Sequence, residues 1–216
     1  MRVAHPQWSP DGTQVAFQGS TDLAAPSRIY LVSKNGGLPV FATAERNDRQ
    51  LYPSWSSQED SILFSGSDET GAHPALYTVD LKTKQVSLLA GTEGLYWGQV
   101  SPDGRHVVAL TDPEQKLILY DTATHDKRML VGLADYPIWS RDGQYVFFST
   151  LFFNHDDAGI YRWQVSTGRL EKVVGAPDFG LGGTYGVWVG VTPDGDPLVV
   201  RDMSTVDLYA LDLDLP

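Results

Sequence analysis

Five residues with a broad apolar body and a polar tip recur at one place in a repeated phrase. They are His5, Tyr52, Trp97, Tyr136 and Trp188, each three positions ahead of Trp8, Trp55, Val100, Trp139 and Val191. Side chains of this kind suit recognition of a peptide or small ligand, because the ring supplies contact area and the tip a hydrogen bond. One such group per repeat, just before an innermost strand, would converge at the mouth of a central channel. The alternative use is packing between adjacent repeats. These five are the candidate partner-binding set.

Other chemistry is sparser. The repeated Asp (Asp11, Asp103, Asp142, Asp194) reads as a ring of carboxylates or, more economically, as a residue that caps its own turn. Asn154-His-Asp-Asp157, and Asp68, Glu69 and His73 in the corresponding loop, carry metal-type donors, but no ligand-spacing motif joins them. Arg46 and Arg49 offer forks for a carboxylate. No G-x-S-x-G elbow, H-E-x-x-H pair or Walker-type loop is present, and the five His are scattered. The expectation is no catalytic residue, no metal and no cofactor.

The elements that position these residues follow from the repeat. Trp8, Trp55, Val100, Trp139 and Val191 are 47, 45, 39 and 52 residues apart, a period typical of β-propeller blades. Each unit runs through a short strand, a turn such as Pro10-Asp-Gly12, and a β-branched or aromatic strand such as Tyr145-Val-Phe-Phe148. A third strand (Gly159-Ile-Tyr-Arg-Trp163) and an outer strand (Leu170-Glu-Lys-Val-Val174) complete it. No segment shows a 3.6-residue period. The second unit reads Trp55-Ser-Ser-Gln-Glu59 and has lost the Pro-Asp-Gly, so its turn is expected to differ.

The fold class is therefore all-β, a propeller of five four-stranded antiparallel blades forming one domain over 1–216. The units span about 5–51, 52–96, 97–135, 136–187 and 188–216. The fifth stops after its third strand and lacks an outer one. Either this is a small five-bladed ring closed imperfectly, or it is the C-terminal part of a six- to eight-bladed one. The second reading is preferred, because an unpaired blade edge invites association, including self-association.

Composition narrows the partners. The 216 residues carry a formal net charge of −11, which repels phosphate backbones and argues against nucleic acid. Six Trp, ten Tyr and eight Phe supply core material. There are no cysteines, hence no disulfides. No segment reads as a signal peptide or a membrane span, so no membrane insertion is expected. As encoded the chain reads as cytoplasmic, and as periplasmic if it belongs to a longer membrane-anchored protein.

Trp8-Ser-Pro-Asp-Gly12 followed by Val15-Ala-Phe17 resembles the WD40-like Pro-Asp repeat of bacterial TolB-type propellers. Units 100–104 and 191–195 match with Val for Trp, and 139–143 with Arg141 for Pro. The resemblance covers essentially the whole chain. It implies a non-enzymatic module that binds a protein or peptide on its loop rim, as part of a larger TolB-like or signalling regulator. The alternative it leaves open is an accessory substrate-gating propeller for a peptidase or hydrolase encoded elsewhere.

Overall fold

A computed structural model describes residues 1–22, 25–44, 48–67, 73–151, 157–175, 189–192 and 194–199. Blade one comprises β1 (Arg2–Trp8), β2 (Gln14–Ser20), β3 (Arg28–Ser33) and β4 (Val40–Phe41). Blade two comprises β5 (Arg49–Trp55), β6 (Ser61–Ser67), β7 (Ala75–Asp80) and β8 (Val86–Leu88). Blade three holds β9 (Leu95–Val100), β10 (His106–Thr111), β11 (Leu117–Asp121) and β12 (Lys127–Val131). Blade four holds β13 (Asp135–Trp139), β14 (Tyr145–Ser149), β15 (Gly159–Gln164) and β16 (Leu170–Gly175). Each is an antiparallel meander in sequence order, and successive blades pack side by side as a β-propeller. Blade five shows β17 (Val189–Val191) paired with β18 (Pro197–Val199). The third strand expected at 207–211 lies outside the described residues. Among the described residues no helix is long and apolar enough to cross a membrane.

The core lies between blades. Side chains alternate across a strand, so a strand sandwiched between two sheets must be apolar on both faces. β10 shows this directly. Val107 and Ala109 join Leu63 and Leu76 of blade two, whereas Val108 and Leu110 join Val146 and Phe148 of blade four. Ile29 and Leu31 meet Trp55, Ile62 and Phe64 in the same way, and Phe147 and Ile160 meet Val189.

The motif Trp acts as a clip between blades. Trp55 Nε1 donates to Gln7 O in blade one at 3.0 Å, and Trp139 Nε1 to Gln99 O in blade three at 2.9 Å. Trp55 is 8% exposed, while the equivalent Trp8 is 62% exposed, with Met1 and Val3 exposed beside it. The outward face of blade one is thus uncovered by the described residues.

The repeated Asp closes its own turn. Asp11 accepts from Ser9 Oγ and Thr13 N, Asp103 from Ser101 Oγ and Arg105 N, and Asp142 from Ser140 Oγ and Gln144 N. The expected difference in blade two is corrected by the structure. Its turn keeps the same form: Glu59 N donates to Ser56 O as Gly12 N does to Ser9 O. Glu59 takes the left-handed conformation that Gly12 holds, with φ 63° against 67°. Asp60 replaces the missing Asp, accepting from Ser56 Oγ at 2.9 Å.

Candidate functional site: an aromatic cluster on four inner strands

Each inner strand breaks its ladder at the same place. The register slips between Ala4 and Gln7 in β1, Leu51 and Ser54 in β5, Tyr96 and Gln99 in β9, and Asp135 and Ile138 in β13. The slip is a β-bulge, which bends a strand and re-aims a side chain. At all four bulges the first irregular residue lies in the left-handed region: His5 at φ 49°, Tyr52 at 53°, Trp97 at 51° and Tyr136 at 51°. For a residue with a Cβ this conformation costs about 1–2 kcal/mol, and such strain persists only where the surroundings over-determine it. Pro6, Pro53 and Pro137 follow three of these residues and bring no N–H to the ladder.

The amide freed at the bulge finds a side-chain acceptor. Tyr52 N donates to Gln18 Oε1 at 2.9 Å, and Trp97 N to Ser65 Oγ at 2.7 Å, each on β2 or β6 of the preceding blade. At the corresponding place on β10 stands Leu110, which has no acceptor. Tyr136 N instead donates to Asp135 Oδ1 at 2.9 Å.

These bulges bring four of the five expected residues together. Tyr52 stacks on Trp97 at 4.2 Å between centroids and 13° between planes. His5 meets Tyr52 edge-on at 4.6 Å and Trp97 at 4.9 Å, and Tyr136 meets Trp97 edge-on at 4.7 Å. All four are half-buried, leaving part of each ring accessible. Trp188 lies outside the described residues. The four rings therefore touch across blades, as packing between repeats would require, and remain partly exposed.

Tyr96 and Asp135, which the sequence reading passed over, belong to the same site. Tyr96 lies 6.1 Å from Tyr52 and its hydroxyl accepts from Gln115 Nε2 at 3.1 Å. Asp135 is 7% exposed, and burial pushes its carboxyl above the usual range. Each directly precedes a cluster residue, which is the signal that would have found them. Burial also holds His5 down to about 4, so it is neutral near pH 7, and raises the Tyr52 phenol to about 12. The arrangement is a neutral aromatic cluster with hydroxyl and imidazole tips and a buried acid adjoining it.

Of the remaining candidates among the described residues, Arg49 stands close enough to act on the Tyr52 phenol. Arg49 is exposed at the start of β5, and His73 lies in the loop before β7. Arg46, Asp68, Glu69, Asn154, His155 and Asp156 lie outside the described residues. Among the described residues no three His, Asp or Glu side chains gather to hold a metal ion.

Comparison with known proteins places the fold. No family model and no curated protein matches this sequence. Among solved structures, TolB from Acinetobacter baumannii superposes with a TM-score of 0.71 at 19% identity, over 93% of this chain and 52% of that one. A TolB of Agrobacterium tumefaciens also gives 0.71 at 19% identity, over 93% of this chain and 74% of that one. An oligogalacturonate lyase in complex with manganese gives 0.60 at 17% identity, over 91% of this chain and 58% of that one. The fold is thus that of a β-propeller. That fold is similar to the propellers of these TolB structures, and the chain spans about half the length of the Acinetobacter protein.

Proposed function

We propose that this propeller is a non-enzymatic interaction module that binds a protein or peptide on the aromatic cluster of its inner strands, as the recognition part of a larger TolB-like or signalling protein. One observation carries the reading. Four successive strands each accept a strained left-handed residue at the same place, and all four side chains go to one half-exposed cluster. Packing alone would be served by an unstrained strand, whereas recognition needs rings aimed inward. The TolB-like fold supports a binding role, since rigid blades hold variable edges on which partners are read.

The test is selection of peptides from a random display library on the purified chain, followed by titration of an enriched peptide against variants. Trp97→Ala should weaken binding by about tenfold or more, as expected for an aromatic anchor, while the β-type circular dichroism is kept. Tyr52→Phe, which removes only a hydroxyl, guards against a folding artefact. Binding that survives both changes would sink the proposal. The second reading, a gating propeller for a hydrolase supplied elsewhere, uses the same surface. It would be favoured by a change in that enzyme's substrate size limit on adding this chain. Turnover by the chain alone, lost in Asp135→Asn, would instead mark an enzyme.

A further inference from the structure

The turn of blade two holds a residue that its counterparts do not. Gly12, Gly104 and Gly143 occupy the left-handed turn position in blades one, three and four, and Glu59 occupies it in blade two. At the junction of blades two and three the glycine lets successive turns close up, while at the next junction a side chain would make only an ordinary contact. A Cβ added to Gly104 would lie 2.7 Å from Ser57 Oγ of blade two, and one on Gly143 would lie 3.6 Å from Pro102 of blade three. Between blades one and two the Glu59 side chain stands at that level, beside Asp11 of blade one.

A cleft of about 770 Å³ opens there, within the size range of ligand sites, about 300–1,000 Å³. Trp55 and Leu81 line its inner part, while Leu38 and Val40, 92% and 58% exposed, form an apolar lip. Asp11, Glu59, Asp60 and Asp80 border it, against Lys82 and Lys84. Hydrogen bonds from Ser9 and Thr13 hold Asp11 down to about 2, so it stays ionised beside Glu59.

We propose that this cleft binds an extended basic peptide segment in which an apolar residue is flanked by lysine or arginine. The apolar side chain covers Leu38 and Val40, which solvent otherwise meets. The cations lie against Asp11 and Glu59, two like-charged neighbours that a positive group between them would relieve. The net charge of −11 favours approach of such a segment and rejects acidic ones. None of the residues lining this cleft belongs to the aromatic cluster.

The experiment is fluorescence anisotropy with a labelled Lys-Leu-Lys-Leu-Lys peptide and a Glu-Leu-Glu-Leu-Glu control at low and physiological salt. The basic peptide should bind and the acidic one should not. Glu59→Gly restores the residue of the other turns, so the fold is kept; it should lower affinity about tenfold, as should Leu38→Ser. Glu114→Gln, a charge removed from an exposed loop of blade three, and Trp97→Ala should leave it unchanged. The proposal fails if no binding is seen, if both peptides bind alike, or if Glu114→Gln costs as much as Glu59→Gly. Loss in Trp97→Ala without loss in Glu59→Gly would move the peptide to the aromatic cluster and also overturn it.

Discussion

The Tyr136 amide donates to the carboxylate of Asp135, the residue immediately before it, at 2.9 Å. This local bond replaces the cross-blade one that Gln18 gives Tyr52 and Ser65 gives Trp97. Leu110 stands where the acceptor would be, on a strand whose face toward blade four is apolar. Asp135→Leu should therefore leave a buried donor unpaired and cost about 1–3 kcal/mol. Asp135→Asn, which keeps an acceptor, should cost less. Leu110→Ser should compensate in part in the double variant, and urea titration of the four-member cycle would reveal that coupling. Strict additivity would mean the amide is satisfied elsewhere.

Glycine should behave unusually in the cluster. In an ordinary strand Gly is less stable than Ala. Tyr136, at φ 51°, reverses that preference. Tyr136→Gly is expected to be more stable than Tyr136→Ala by about 1 kcal/mol, because only Gly escapes the left-handed penalty. Thermal unfolding of the two variants gives the answer, and Ala above Gly would show that the strand relaxes out of the bulge.

Acid should weaken the fold through His5. Its folded pKa is about 4 against 6.5 for the free side chain. The unfolded chain therefore takes up a proton before the folded one does, and stability falls as pH drops from about 6.5 to 4. At most about 3 kcal/mol is at stake from this one group. The raised pKa of Asp135 acts in the opposite sense, losing stability as pH rises above the ordinary carboxylate range. Comparing His5→Gln with the parent across pH 4–7 isolates the His5 contribution, and identical slopes would refute it.

The two tryptophans Trp8 and Trp55 share a sequence position and differ in surroundings. Trp55→Phe should cost about 1 kcal/mol or more for the lost bond to Gln7, while Trp8→Phe should be near neutral in a dilute sample. We propose that the face of blade one that the described residues leave uncovered also drives self-association. Sedimentation at rising concentration should show larger species in the parent and a monomer in Trp8→Asp. A concentration-independent monomer in both would close that proposal.

Sequence periodicity was enough for the architecture, since an in-phase turn and a doubly apolar strand in every unit leave few ways to bury the side chains. The five-membered ring of candidates was also legible as a pattern. What it could not convey was the left-handed backbone at His5, Tyr52, Trp97 and Tyr136, because none of these residue types asks for positive φ. Pro6, Pro53 and Pro137 were a clue to the bulges. The reading of Glu59 went astray for the same reason: its turn was expected to change without glycine, yet the flanking hydrogen bonds enforce the old geometry on a new residue. The pairing of Asp135 with Leu110 is a compensation between distant positions, and only the fold makes it visible.

Among the described residues the cross-blade bonds made at the bulge and motif positions of the inner strands run one way, although Gln50 on β5 also accepts from Ile29 N of blade one at 3.2 Å. Tyr52, Trp55, Trp97, Val100 and Trp139 donate, and the acceptor in every case belongs to the blade before. The propeller is accordingly less a wheel than a vectorial stack, in which neighbours are unequal. Losing a later blade strands mainly carbonyl and hydroxyl oxygens, which water reaches readily, the Ile29 amide being the exception. Losing an earlier one strands buried N–H groups, which it does not. Truncation from the two ends of the blade series should therefore be asymmetric, and growth by added repeats is easiest in the direction in which the donors point.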